Sequence, residues 1–184
     1  SSLDLADVTL DTQQFGCPDI AVSELDLVDS FYLFLLRTLS DLFSVGGSVP
    51  AGRVGAEFAR DDDDELRSVS ASERVYGCLV VPAMGWSWAL HFCQSALTTA
   101  ILDSGIDEGS MLVDGAAIHP LRNGSQVIAA GYVDNFATVS LDPEVATTAC
   151  QAIRDVLVAR GLPVDEFAPA AKRVVFTGLD ILGD

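Results

Sequence analysis

Positive charge is scarce in this chain. Its 184 residues include a single lysine, Lys172, and ten basic residues in all against 27 acidic ones, a formal net charge of −17. A surface that grips a phosphate backbone is normally basic, because neutralised phosphates release counterions and that release drives binding. This chain is expected to repel nucleic acid at long range unless a partner supplies cations. Soft metal ligands are scarce too. The four cysteines (Cys17, Cys78, Cys93, Cys150) form no CxxC pair and only His91 and His119 accompany them, which argues against zinc. Three of the four sit in apolar stretches and read as small core residues, reduced thiols of an intracellular protein. No apolar run approaches membrane-spanning length, no basic-then-apolar leader opens the chain, and no internal repeat is found. A start at Ser1 rather than methionine suggests a piece of a longer protein.

Apolar residues are plentiful. They make up 49% of the chain, with mean hydropathy +0.36, enough for a packed core in one domain of ordinary size. Residues 1–20 are polar and weakly patterned, so the domain is expected over 21–184. "AVSELDLVDSFY" alternates at Val22, Leu25 and Leu27, predicting a strand that turns at Val28-Asp29-Ser30. "FYLFLLRTLSDLFSV" is apolar on nearly every side and fits helix or strand, until Gly46-Gly47 and Pro50 break it. The segment 59–74, with Asp61 to Asp64 in a row, reads as an exposed, solvated acidic loop. "VYGCLVVP" predicts a buried strand closed by Pro82.

Leu90, Cys93, Leu97 and Ile101 recur at helical spacing over Ser87–Gly105. "MLVDGAAIHPLRNGSQ" reads as irregular, and "VIAAGY" and "FATVSL" as a hairpin around "VDN". Asp142 and Pro143 then open a helix whose apolar face carries Val145, Ala149, Ile153, Val156 and Leu157, and Gly161 ends it. "RVVFTGLDI" closes the chain as a strand, bent at Gly178. This order predicts an α+β fold, a mostly antiparallel sheet with helices on one face, compatible with a ferredoxin-like split βαβ.

Three features stand in sequence: an aspartate ending a strand in Leu25-Asp26-Leu27, a Pro82, Gly85, Trp86 stretch leading into a helix, and a Tyr132-x-Asp134 turn between apolar strands. Together they resemble the palm of reverse transcriptases, the RNA-directed DNA polymerases, of the retrotransposon kind. "ELDLVDSFY" resembles the family's first metal-binding motif and "VYGCLVVPAMGWSWALHFCQ" its second conserved phrase. "YVDNF" is similar to the Tyr-x-Asp-Asp-Phe turn, and "ARGLPVDE" followed by "VVFTGLDI" to the helix end and strand downstream of it. The likeness runs from Val22 to Ile181, nearly the whole chain.

The resemblance implies a polymerase palm performing two-metal nucleotidyl transfer. That reaction is an in-line displacement in which two magnesium ions clamp the attacking and leaving oxygens. Asp26, Asp134 and Asn135 would be the catalytic residues. Asp26, Asp134 and the Leu27 carbonyl would hold Mg2+, with Mn2+ as a substitute. Phe31 would abut the sugar of the incoming nucleotide, Gly85 would lie beside the templating pair, and Lys172 would protonate the pyrophosphate. The implied partners are a nucleic-acid template-primer, deoxynucleoside triphosphates and the other domains of a larger polyprotein; no membrane is implied.

The chain also departs from the family pattern. Asn135 replaces the usual second aspartate, and its neutral carbonyl is a weaker magnesium ligand than a carboxylate. "PAMGWSW" carries an extra residue and lacks the polar side chain usual between Pro and Gly. Basic fingers strands are not found before the first motif, nor a thumb after Asp184. These departures predict a palm that does not polymerise alone. The rival is a decayed or repurposed palm acting as a non-catalytic interaction module. Simpler roles exist for each residue: Asp134-Asn135 as a tight turn, Asp26 as a strand end, and Phe31, Tyr32, Trp86 and Trp88 as packing aromatics. His91 would then be structural, and Lys172 and Arg173 ordinary surface charges.

Overall fold

The computed structural model describes residues 19–36, 39, 42–113, 121–177 and 179–182. The first elements are β1 (Ala21–Leu27), a 3-10 turn (Ser30–Leu33), β2 (Val49–Pro50), α1 (Ala51–Val54), β3 (Phe58–Arg60), β4 (Leu66–Ser68) and β5 (Arg74–Val75). Next come α2 (Ser87–Asp103), a 3-10 turn (Glu108–Ser110), β6 (Met111–Leu112), β7 (Ile128–Tyr132) and β8 (Asn135–Ser140). The last are α3 (Pro143–Ala159), β9 (Val164–Ala171), β10 (Arg173–Phe176) and β11 (Leu179–Leu182). They divide into two compact units, one ending at Ser30 and resuming at Ser87, the other Phe31–Trp86.

The first unit is an α+β layer pair. Its sheet runs β6-β7-β8-β1-β9, antiparallel throughout except for the β6–β7 pair. Strand direction makes β1 parallel to β7 with β8 between them, and β8 parallel to β9 with β1 between them. Each of these parallel pairs is joined through one long helix, α2 or α3.

Side-chain alternation sorts β1 onto two faces. Leu25 and Leu27 point toward the helices, where they meet Leu97, Ala100 and Ile101 of α2, Cys150, Ile153 and Leu157 of α3, and Phe136 of β8. Val22 lies on the opposite face with Ile128, Ala130, Ala137 and Val139, covered by Val174 and Phe176 of the β10–β11 hairpin. Buried hydroxyls on the helix side are paired: Thr138 Oγ1 donates to the Ala146 carbonyl (2.7 Å) and Ser23 Oγ to that of Ala168 (2.6 Å).

Helix α3 starts where expected. Asp142 Oδ1 accepts the Glu144 N–H (2.8 Å), Pro143 occupies the first turn, and Gly161 follows the end at φ +79°. Cys150 is fully buried and burial pushes its thiol up to about 11, so it stays protonated as a core residue. Cys93 is likewise buried, whereas Cys78 is an exposed free thiol. Among the described residues no helix is long and apolar enough to cross a membrane.

Several elements differ from expectation. The eight residues of β9, "VDEFAPAA", form a sheet strand that the sequence pattern does not announce. Only Val164 and Phe167 of it pack on the core, and Pro169 is tolerated because β9 lies at the sheet's edge, where a missing N–H breaks no ladder. "RVVFTGLDI" is not one bent strand of the sheet but the separate β10–β11 hairpin, turning near Thr177 at φ +48°. On α2 the buried stripe is Ala89, Cys93, Leu97, Ala100 and Ile101, with Leu90 outward.

The second unit pairs β2 with β5 and β3 with β4. "VYGCLVVP" is not a buried strand: only Val75 belongs to β5, Ser44 and Cys78 form an isolated bridge, and Tyr76 and Val80 are 65% and 50% exposed. Strands of two or three residues leave such an apolar run without a sheet to enter. The acidic segment is exposed as expected but ordered as the β3–β4 hairpin, its tip closed by Asp61 Oδ1 accepting the N–H groups of Asp63 and Glu65 (both 3.0 Å). "FYLFLLRTLSDLFSV" opens with the 3-10 turn and is otherwise neither α-helix nor strand among its described residues. Expectations for residues 1–18, including Cys17, and for His119 and Gly178 fall outside the described residues.

Phe136 is fully buried between sheet and helices. Phe136→Ala should cost about 3–5 kcal/mol of unfolding free energy by urea titration, whereas Phe58→Ala, at a half-exposed position, should change it by less than about 0.5 kcal/mol.

Candidate functional site

Sheet register brings the two distant aspartates together. Asp26 on β1 sits directly opposite Asn135 on β8 and, on its other side, opposite Glu166 on β9. One step further, the Leu27 N–H donates to the Asp134 carbonyl (2.9 Å), which fixes the hairpin tip against the end of β1. Directly opposed residues share a face with Cβ atoms roughly 5 Å apart. Tyr132, Asn135, Asp26 and Glu166 therefore form a row across the face turned away from the helices.

The tip has two residues, Val133 and Asp134, because Tyr132 pairs with Asn135. Val133 stands at φ +60°. Two-residue hairpins favour glycine there, and a β-branched side chain in the left-handed region carries strain of about 1–3 kcal/mol. Helix α2 clamps this turn. Gln94 Nε2 donates to the Gly131 carbonyl (2.7 Å) and Gln94 Oε1 accepts the Val133 N–H (3.3 Å). Gly131 lets the helix come close, since a Cβ there would lie 3.0 Å from Ile101 Cδ1.

Beside the tip, Glu24, Asp26, Asn135, Asp165 and Glu166 line a groove of about 440 Å³. Burial and the Asp134 carboxylate push the Asp26 carboxyl up, Asp165 and Glu166 add to this, and the Leu27 main chain opposes it. Glu24 is raised likewise, by burial and then by Glu166 and Asp26. Asp26 Oδ1 is buried and has no hydrogen-bond partner among the described residues. Asp134 Oδ1, by contrast, accepts from Asn135 Nδ2 (2.7 Å).

The donor set suits a hard cation. Two carboxylates with one buried, unpartnered oxygen match what magnesium takes from a protein when waters and phosphates complete its shell. They do not form a closed cage: among the described residues no three His, Cys, Asp or Glu side chains converge to hold a metal.

The other residues inferred from the resemblance are Lys172, Phe31 and Gly85. Lys172 follows Ala171, the partner of Val22, and is ion-paired with Asp19; it lies six residues, about 20 Å of strand length, from Glu166. Phe31, half-buried in the 3-10 turn, and Gly85, exposed at φ +90°, belong to the second unit. Trp88 is 56% exposed and rests edge-on against His91, so neither packs against the sheet as a core residue.

Residues not inferred from sequence are Gln94, Glu24, Asp165 and Glu166. Gln94 closes the phrase "HFCQ", but no spacing rule ties a helix amide to a turn nearly forty residues away. The acids of β9 were hidden with their strand. No protein-family model matches the chain, and no curated protein does.

A raised carboxyl favours folding while protonated and loses that contribution as pH rises through its folded value. Asp26→Asn should therefore melt above the unsubstituted protein at pH 7, and the gap should narrow as pH falls and close below the ordinary aspartate range, where both states are protonated. Melting curves across that range check the sign.

Proposed function

We propose that this chain is a reverse-transcriptase-like palm whose Asp26 and Asp134 bind Mg2+ for nucleotidyl transfer to a primer end. The observation that carries the reading is that β1, carrying Asp26 next to its end, pairs with the hairpin whose turn holds Asp134, near enough for the two carboxylates to repel, while Asp26 Oδ1 has no partner among the described residues. Leaving aside the two-residue edge strand β6, the element order β1–α2–β7–β8–α3–β9 and sheet order β7-β8-β1-β9 resemble a ferredoxin-like split βαβ, which supports the same reading.

Each residue has a task in this scheme. Asp26 and Asp134 supply hard oxygens from rigid elements, which matters because misplacement by about 1 Å can cost about 100-fold in rate. When bound, the metal ions would activate the primer hydroxyl and stabilise the leaving oxygens. Leu27 anchors the tip through its N–H. Asn135 orients Asp134 through its amide and adds no negative charge. With ten basic residues against 27 acidic, the chain's own surface does not attract a template, so that grip falls to basic partner domains.

A second reading is favoured by one contact. The Asn135 amide donates to an Asp134 oxygen that a metal would otherwise use, as expected of a palm that has lost catalysis and serves as an interaction module.

Primer extension on an RNA template with Mg2+ or Mn2+ separates the two. Activity that falls by about 100-fold or more in Asp134→Ala, and rises in Asn135→Asp, supports the polymerase. Binding of Mn2+ without extension in either the unsubstituted protein or Asn135→Asp, at template-primer concentrations high enough to bind without basic partner domains, supports the relic. Melting temperatures unmoved by millimolar Mn2+ overturn the metal site altogether.

A further inference from the structure

We infer that Gln94 is a positioning residue for the metal site: from helix α2 it holds the hairpin tip in the conformation that aims Asp134 at Asp26. The inference rests on the palm reading and adds a role outside the aspartates themselves. Both ends of the Gln94 amide are used, one on the Gly131 carbonyl and one on the Val133 N–H, so the side chain brackets Tyr132 and grips the strand on either side of it. The residue held is the one that resists. Val133 occupies left-handed backbone space at φ +60°, where a β-branched residue stays only when its surroundings fix it.

Asp134 follows Val133 directly and has one other main-chain tether, its carbonyl on the Leu27 N–H. Without the amide clamp, Val133 is free to relax toward negative φ. That rotation swings the next peptide and turns the Asp134 carboxylate away from Asp26. Helix α2 is itself anchored by Cys93, Leu97 and Ile101 in the core, so the clamp has a rigid base.

Mn2+ titration, read by electron spin resonance of the free ion, together with amide hydrogen exchange at Val133, tests this. In Gln94→Ala, Mn2+ affinity should fall about tenfold or more, the usual cost of losing a residue that orients a metal ligand, and Val133 exchange should accelerate. Glycine adopts the left-handed conformation without strain, so Val133→Gly in the Gln94→Ala background should recover much of the lost affinity. A residue that only packs the helix would show no such recovery. Unchanged Mn2+ affinity in Gln94→Ala, or losses that simply add in the double variant, overturn the clamp while leaving the palm reading intact. Failure of the unsubstituted protein to bind Mn2+ overturns both.

Discussion

One main-chain hydrogen bond, from the Leu27 N–H to the Asp134 carbonyl, ties the two halves of the candidate site together. It continues the β1–β8 ladder one residue past the Asp26–Asn135 pair, so the hairpin tip is held by the strand it faces. A slip of one residue in that ladder would send Asp26 into the helix side and Leu25 and Leu27 out of it. The apolar face therefore enforces the polar one: Leu25, Leu27 and Phe136 fix the register, and the register fixes the acids.

That arrangement holds like charges close. Asp26 and Glu24 are both raised by burial and by neighbouring carboxylates, so the groove is electrostatically unfavourable in the unliganded chain at neutral pH. On the proposed function, a divalent cation lying among the same side chains would relieve that repulsion. Salt bridges elsewhere do not offset this, since those in the described residues, such as Arg173–Asp180 and Arg60–Asp64, lie on the exposed surface, where ion pairs contribute little. The stability that sustains the groove comes from the two apolar clusters flanking the sheet.

Much of the first unit was legible because its signals are local. Asp142-Pro143 and Gly161 bracket α3, the alternation of Val22, Leu25 and Leu27 marks β1, and the apolar runs around Val133-Asp134 mark the hairpin. Asp26 and Asp134 could be paired only through family likeness, since nothing local links residues more than a hundred positions apart. β9 was illegible for a physical reason. An edge strand with acids and a proline obeys neither strict alternation nor β-propensity, and its identity comes from β1 beside it. "VYGCLVVP" failed in the opposite sense, its apolar composition mimicking a core strand in a unit that has no such sheet. Gln94 was unreadable because its role exists only after helix and hairpin have packed.

The outer strand β9 also bears on how the molecule behaves among its own copies. An unpaired strand rim is an open template for a neighbouring chain. Among the described residues that rim carries Asp165, Glu166 and Pro169, the first two repelling an identical edge and the last withholding a donor, while the opposite rim, β6, offers two residues. A sheet rich enough in buried aliphatics to invite stacking is thereby discouraged from growing sideways into aggregates.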